Sequence, residues 1–140
     1  MRNKFSNNYP IINLYNKKKV TAHNMVTQML YGENFTILRK FKNWYKIRLH
    51  TDKYVGFILK KKFVKLPKPT HKVSVLAASI YTKPSNNNKR GKKLTFSSNI
   101  CAKEKYGSFT KFENYWIKYV LYWRTVTSQG MFLKLGELRL

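Results

Sequence analysis

The sequence predicts an all-β protein built from two small barrels in tandem. Three observations carry that expectation: short runs of alternating apolar and polar residues, a proline-bearing break near the middle, and an ordered partial repeat on either side of it. Two thin cores need dense apolar content, because a unit of roughly 60 residues buries only about 60% of the surface its unfolded chain exposes. Aromatic residues make up 16% of the 140-residue chain, and each large ring buries about 150–250 Å².

Residues 1–10 read as an N-terminal tail. The clearest strands are 34–39 (NFTILR), 44–49 (WYKIRL) and 54–59 (YVGFIL). Their connectors, 40–43 and 50–53, have hairpin length, so an antiparallel meander is expected. In the second run Trp44, Lys46 and Arg48 share one face and Tyr45, Ile47 and Leu49 the other, which puts Trp44 at the margin of the core. The stretch 60–71 (KKKFVKLPKPTH) carries prolines at alternate positions, which favour an extended linker and resist a central strand. The first barrel is therefore assigned to 11–66, the linker to 67–71 and the second barrel to 72–122. Within the second, 72–81 reads as a strand, 84–93 (PSNNNKRGKK) as a loop, and 94–103, 108–112 and 116–122 as strands. Residues 123–140 form an irregular tail in which Met131, Leu133, Leu135 and Leu138 fit either a closing strand or a short helix.

The halves match in order. Leu14-Tyr15-Asn16-Lys17 corresponds to Ile80-Tyr81-Thr82-Lys83, Leu30 to Leu94, Ile37 to Ile100, and Trp44 to Trp116. The last pair requires an insertion in the second copy, containing Tyr106-Gly107.

Against 29 Lys and Arg stand only 5 Asp and Glu, a formal charge of +24. Such a chain attracts anionic polymers nonspecifically, whether nucleic acid, lipid headgroups or wall polymers. Lys far outnumbers Arg, however, whereas groove reading and bidentate phosphate clamps favour Arg. With the many Asn residues, this points partly to a general Lys and Asn bias. The lone Cys101 rules out an internal disulfide, and no Cys/His spacing suits a metal. No apolar h-region follows Arg2 and Lys4, so no ordinary secretory signal is visible, and no run of about 18 apolar residues exists. Bacterial cytoplasm and cell envelope both stay open as compartments.

The most specific motif is Thr27-Gln28-Met29-Leu30-Tyr31-Gly32-Glu33, followed by an alternating strand, Trp44, and Asp52-Lys53-Tyr54-Val55-Gly56-Phe57-Ile58. Gly32 stands where the chain turns sharply before a strand. Gly56 interrupts a strand and indicates a bulge or a close backbone approach. Asp52 fits a turn closed by an Asx-type bond. On these grounds Thr27, Gln28, Leu30, Gly32, Glu33, Asp52 and Gly56 are scaffold residues. The motif resembles the bacterial SH3 domain at the N-terminus of NlpC-type cysteine peptidases, the cell-wall dipeptidyl peptidases that cut after γ-D-glutamyl residues. Asn43 replaces the Gly that commonly precedes the Trp, a change compatible with positive φ. The resemblance spans roughly 11–66 and extends more faintly over 73–120, which implies two tandem SH3-like barrels, the second left incomplete by its lack of an Asp-x-Tyr-x-Gly counterpart.

In the resembling enzymes the nucleophilic Cys lies in a separate C-terminal domain. Cys101 sits instead in an alternating segment with no His after it, and His23, His50 and His71 all precede it. It reads as a small buried strand residue, since a thiolate nucleophile needs a base or cationic site. No catalytic residue, metal or cofactor is assigned. Trp44, Tyr54, Tyr106, Tyr115 and Trp116 lie near turns beside Lys-rich segments, an arrangement suited to stacking on sugar rings, peptides or bases. Lys60–Lys62 are read as a solvated strand end, and Lys17–Lys19 and Lys89–Lys93 as clusters on loops. The expected function is a non-catalytic binding or targeting module of a peptidoglycan dipeptidyl peptidase, with peptidoglycan or its stem peptides as partner. The irregular ending is read as truncation or frame-shift before the peptidase domain, rather than as a stand-alone module. A basic SH3-like RNA-binding protein is the alternative.

Overall fold

A computed structural model describes residues 3–122, so the expectation for 123–140 lies outside the described residues. All its regular elements are antiparallel strands apart from two single 3₁₀ turns. The chain divides into two compact units, Met1–Leu66 and Pro67–Leu140.

The first unit is one six-stranded sheet made by β1 (Lys4–Ser6), β2 (Ile11–Tyr15), β3 (Met25–Leu30), β4 (Asn34–Lys40), β5 (Trp44–Leu49) and β6 (Val55–Leu59), in the order β1-β4-β5-β6-β2-β3. The hydrogen-bond ladder does not close. The sheet nevertheless wraps one core, because strands from both edges feed the same cluster: Ile12, Leu14, Met29, Phe35, Ile37, Ile47, Leu49 and Ile58, with Phe5 and Val26 packed against it. Fully burying each such side chain contributes roughly 1.5–3 kcal/mol. Asn7, just past β1, ties the edges together by donating from Nδ2 to the Met29 carbonyl at 3.0 Å. The expected meander of 34–59 is observed as β4, β5 and β6, with a register shift between Ile37 and Arg39.

The second unit holds two sheets. One contains β7 (His71–Val73), β10 (Asn99–Ile100) and β14 (Val120–Tyr122), in the order β10-β7-β14. The other contains β8 (Ala77–Tyr81), β9 (Lys89–Thr95), β11 (Glu104–Tyr106), β12 (Phe109–Phe112) and β13 (Tyr115–Ile117), in the order β11-β12-β13-β8-β9. Several strand expectations change here. The run 72–81 is broken between β7 and β8, where Leu76 is 81% exposed. Residues 89–93 are the first part of β9, not loop, because Lys89 and Lys93 pair with Tyr81 and Ser79. Cys101 lies just past β10, half-buried in a segment with no regular structure, and not inside a strand.

The two units follow one plan, and their registers correct the repeat drawn from residue identity. Gly32 N donates to Asn7 O and Asn7 N to Glu33 O; Ser97 N donates to Val73 O and Val73 N to Ser98 O. Gly32 (φ 84°) and Ser97 (φ 74°) therefore hold the same left-handed turn. Tyr15 faces Phe57 across the strand pair as Tyr81 faces Trp116, so the counterpart of Trp116 is Phe57 and not Trp44. The counterpart of Trp44 is Phe109, each packed edge-on against its own tyrosine. Likewise Phe35, not Ile37, matches Ile100, and Met29, not Leu30, matches Leu94. With these pairs the spacing from Phe35 to Trp44 equals that from Ile100 to Phe109, so no insertion lies between them; the length difference falls instead in the β5–β6 hairpin, where Trp44 and Phe57 are 13 positions apart against 7 for Phe109 and Trp116. Tyr106-Gly107 occupies the hairpin position of Phe41-Lys42.

Candidate functional site

Period-2 alternation sends Ile47, Leu49 and Ile58 into the first core and leaves Trp44, Lys46 and Phe57 on the opposite face. There Tyr15 meets Trp44 edge-to-face, 5.8 Å between centroids at 87°. Phe41, from the β4–β5 hairpin, lies 6.0 Å from Phe57. Cations stand over these rings: Lys18 Nζ is 3.9 Å and Arg39 Cζ 5.0 Å from the Phe41 centroid, and Lys46 Nζ 6.0 Å from that of Phe57. Such contacts are worth about 0.5–1 kcal/mol at exposed sites. They also hold positive charge beside flat apolar surface.

The second unit repeats this face. Tyr81 and Phe109 meet edge-to-face at 5.1 Å and 85°, and Lys111 Nζ is 5.8 Å from the Trp116 ring. Lys118 adds a feature. Its Nζ lies 5.1, 5.5 and 5.8 Å from the rings of Phe109, Tyr81 and Tyr119, and it donates to Asn86 Oδ1 at 2.8 Å. Lys118 borders a cavity of about 420 Å³, with Ala77, Ser79 and Tyr81 from β8 along one wall and Asn86, Lys89 and Tyr119 around it. Tyr119 is 59% exposed and has φ 62°. Its carbonyl accepts from both the backbone N–H (2.8 Å) and the hydroxyl (2.7 Å) of Ser74, which hold the turn in place.

A smaller hollow of about 210 Å³ in the first unit is bordered by Lys4, Phe5, Ser6, Asn34, His50, Lys65 and Leu66. His50 bonds Thr36 Oγ1 through Nε2 at 2.8 Å. Burial, followed by the charges of Lys4, Lys53 and Arg48, holds His50 below the ordinary histidine range. Burial and then Lys105 do the same to His71, and burial raises the Glu113 carboxyl. Neither His71 nor Glu113 lines either hollow. Among the described residues no group of three His, Cys, Asp or Glu could hold a metal ion, and no helix is long and apolar enough to cross a membrane.

The five aromatic residues singled out in the sequence are not gathered in one place. Trp44 and Trp116 lie on the ring-bearing faces of their units, and Tyr106 stands at the hairpin next to that face, 66% exposed. Tyr54 is at the far end of the β5–β6 hairpin from Trp44. Tyr115 points to the other side of β13, beside Phe112 and with Arg90 Cζ 5.3 Å from its ring. Tyr15, Phe41, Phe57, Tyr81, Phe109 and Lys118 complete the faces. Alternation alone carries a signal for Lys118, two positions past Trp116 and just beyond the end of β13, but none for Asn86.

The motif residues form a bonded frame. Glu33 Oε2 accepts from Leu30 N at 2.6 Å, while its Oε1 accepts from the Thr51 hydroxyl at 3.1 Å. Gln28 donates to Asn13 Oδ1 at 2.9 Å, and Thr27 pairs with Leu14. Asp52 Oδ1 accepts from Tyr54 N at 3.0 Å, with Lys53 at φ 62°. A Cβ on Gly56 would meet the Tyr15 carbonyl oxygen at 3.1 Å and Leu14 Cδ2 at 3.2 Å. Its pairing with Ile47 is in regular register, so close approach rather than a bulge explains this glycine.

No curated protein matches the chain. Among solved structures, that of an NlpC/P60 family protein from Bacillus cereus ATCC 10987 is similar at 13% identity with a TM-score of 0.70, over 86% of this chain and 56% of that one. That likeness is one of fold, and this chain spans little more than half of that protein's length. The family model described as the bacterial dipeptidyl-peptidase SH3 domain matches residues 18–63. The first unit thus carries a segment of the bacterial dipeptidyl-peptidase SH3 type, the family that the residues from Thr27 to Ile58 resemble.

Proposed function

We propose that this chain is a non-catalytic binding and targeting module that recognises peptidoglycan through its stem peptides, in association with a dipeptidyl peptidase of the cell wall. The observation that carries the proposal is the repeated face of aromatic rings with lysines beside them, at equivalent strand positions in the two units. Rings provide stacking surface for sugar or peptide planes, and the lysines complement carboxylates. Trp44, Tyr106 and Trp116 are ligand contacts in this account; Tyr54 and Tyr115 stand away from the faces.

Sedimentation with purified peptidoglycan tests it. The chain is expected in the pellet at both low and physiological salt, with retention falling severalfold in a Trp44→Ala, Trp116→Ala double variant. Absence from the pellet at both salts overturns the proposal, as does equal retention of the double variant. Hydrolysis of a γ-D-glutamyl peptide by this chain, lost in Cys101→Ala, would overturn the non-catalytic part.

A further inference from the structure

The equivalence of the two units isolates what is particular to one of them. Continuing the β12–β13 register one step places Lys118 opposite Phe109, where the first unit has Leu59 opposite Trp44. Asn86 opens the 3₁₀ turn after Ser85, where the first unit has Ala22 after Thr21. One unit therefore has an ammonium bonded to an amide at the place where the other has two apolar side chains. The same strands, edge-on ring pair and 3₁₀ turn form with either set, so the fold itself does not require Lys118 or Asn86.

We infer that the cavity of the second unit is a binding site for a peptide carboxylate, with Lys118 as the anion-binding residue and Asn86 as the residue that positions it. This rests on the peptide-binding account above and narrows it to one site. Lys118 spends one of its three N–H bonds on Asn86, and the rings of Tyr81, Phe109 and Tyr119 steer it without neutralising its charge. Lys89 adds a second cation, and among the described residues no carboxylate borders the cavity. A singly charged carboxylate suits this donor set better than a phosphate, which favours bidentate Arg or several converging N–H groups. Ser79 supplies a polar partner for a neighbouring peptide group, and the exposed ring of Tyr119 a surface for its flat face. The volume of about 420 Å³ fits a short peptide segment. The positive φ of Tyr119, fixed by Ser74, is a conformation that costs free energy and presents a ring at the cavity mouth.

The test is an amide chemical-shift titration of the full chain with N-acetyl-Ala-Ala, its C-terminal amide, N-acetyl-Ala-Glu-amide and inorganic phosphate. Shifts across residues 77–89 and 118–119 are expected with one or both carboxylate peptides and not with the diamide. The response to Ala-Ala or to Ala-Glu-amide distinguishes a terminal from a side-chain carboxylate. Lys118→Leu, which installs the residue the first unit carries, should weaken binding roughly tenfold to a hundredfold. Asn86→Ala should weaken it severalfold, and Lys92→Leu, which removes an equal charge elsewhere, should leave it unchanged. Equal binding of the diamide, tighter binding of phosphate, or unaltered binding by Lys118→Leu overturns the site. Retention on peptidoglycan without these shifts overturns the site alone. Carboxylate-dependent shifts without retention support the site and overturn the wall-binding account.

Discussion

At the scale of single residues, one side chain can fix two segments of the first unit, as Glu33 does by closing the Gly32 turn through Oε2 on Leu30 N and tying it to Thr51 through Oε1. His50 links such local chemistry to pH. Its pKa is lowered on folding, first by burial and then by Lys4, Lys53 and Arg48, so the unfolded chain binds the proton more readily. Its contribution is complete above the ordinary value near 6.5 and is lost as pH falls from there through the folded pKa. The urea midpoint should therefore fall between pH 7.5 and pH 5.5, and the fall should be shallower in His50→Gln. A His50 ring-proton titration centred at or above 6.5 would contradict the shift itself. His71 acts in the same direction, whereas Glu113, with its pKa raised by burial, favours the folded state at low pH and loses that effect as pH rises above about 4.5.

Between strands, the informative unit is the ring slot filled by Trp44 in one half and Phe109 in the other. Both rings stand edge-on to the tyrosine that ends an equivalent strand, Tyr15 of β2 and Tyr81 of β8, so the slot selects a flat ring and not an indole. Trp44→Phe should accordingly cost less than about 1 kcal/mol. Trp44→Ala removes both the burial and the ring pair and should cost about 2–4 kcal/mol. Urea denaturation followed by far-ultraviolet circular dichroism checks both; equal losses in the two variants would refute the slot. The same slot explains how far the repeat was legible. Leu14-Tyr15 and Ile80-Tyr81 correspond in sequence and in register alike because strand ends and turns are local. Residue type pairs Trp44 with Trp116, but register pairs neither with the other, and register is set by hydrogen bonds between distant segments.

For the whole molecule, the governing quantity is the formal charge of +24. The ion pair between Lys111 and Glu104 is 3.8 Å long, with its side chains 34% and 58% exposed, and pairs of that kind contribute roughly 0–1 kcal/mol. Like-charge repulsion thus outweighs pairing. Raising sodium chloride from about 10 mM to about 150 mM shortens the screening length from about 30 Å to about 8 Å. Thermal unfolding should shift upward, by about 4–8 °C for each 1 kcal/mol of repulsion relieved in a unit of this size. A midpoint that stays level or drops with salt would show that repulsion does not limit stability.

Alternation, turn residues and composition were enough to reveal an all-β chain, the meander from Asn34 to Leu59 and the SH3-like motif, because each depends on neighbours a few positions apart. The candidate site was half visible: Trp44, Tyr106 and Trp116 stood out as aromatics near turns beside lysines. Lys118 and Asn86 did not, since 32 positions separate them and their 2.8 Å bond exists only where β13 is brought beside the 3₁₀ turn. A period of two assigns a side chain to a face but leaves its partner open. That partner is set by long-range register, which matched Tyr106-Gly107 to the hairpin of Phe41-Lys42 and gathered the Lys118 ammonium among three rings at the second unit's cavity.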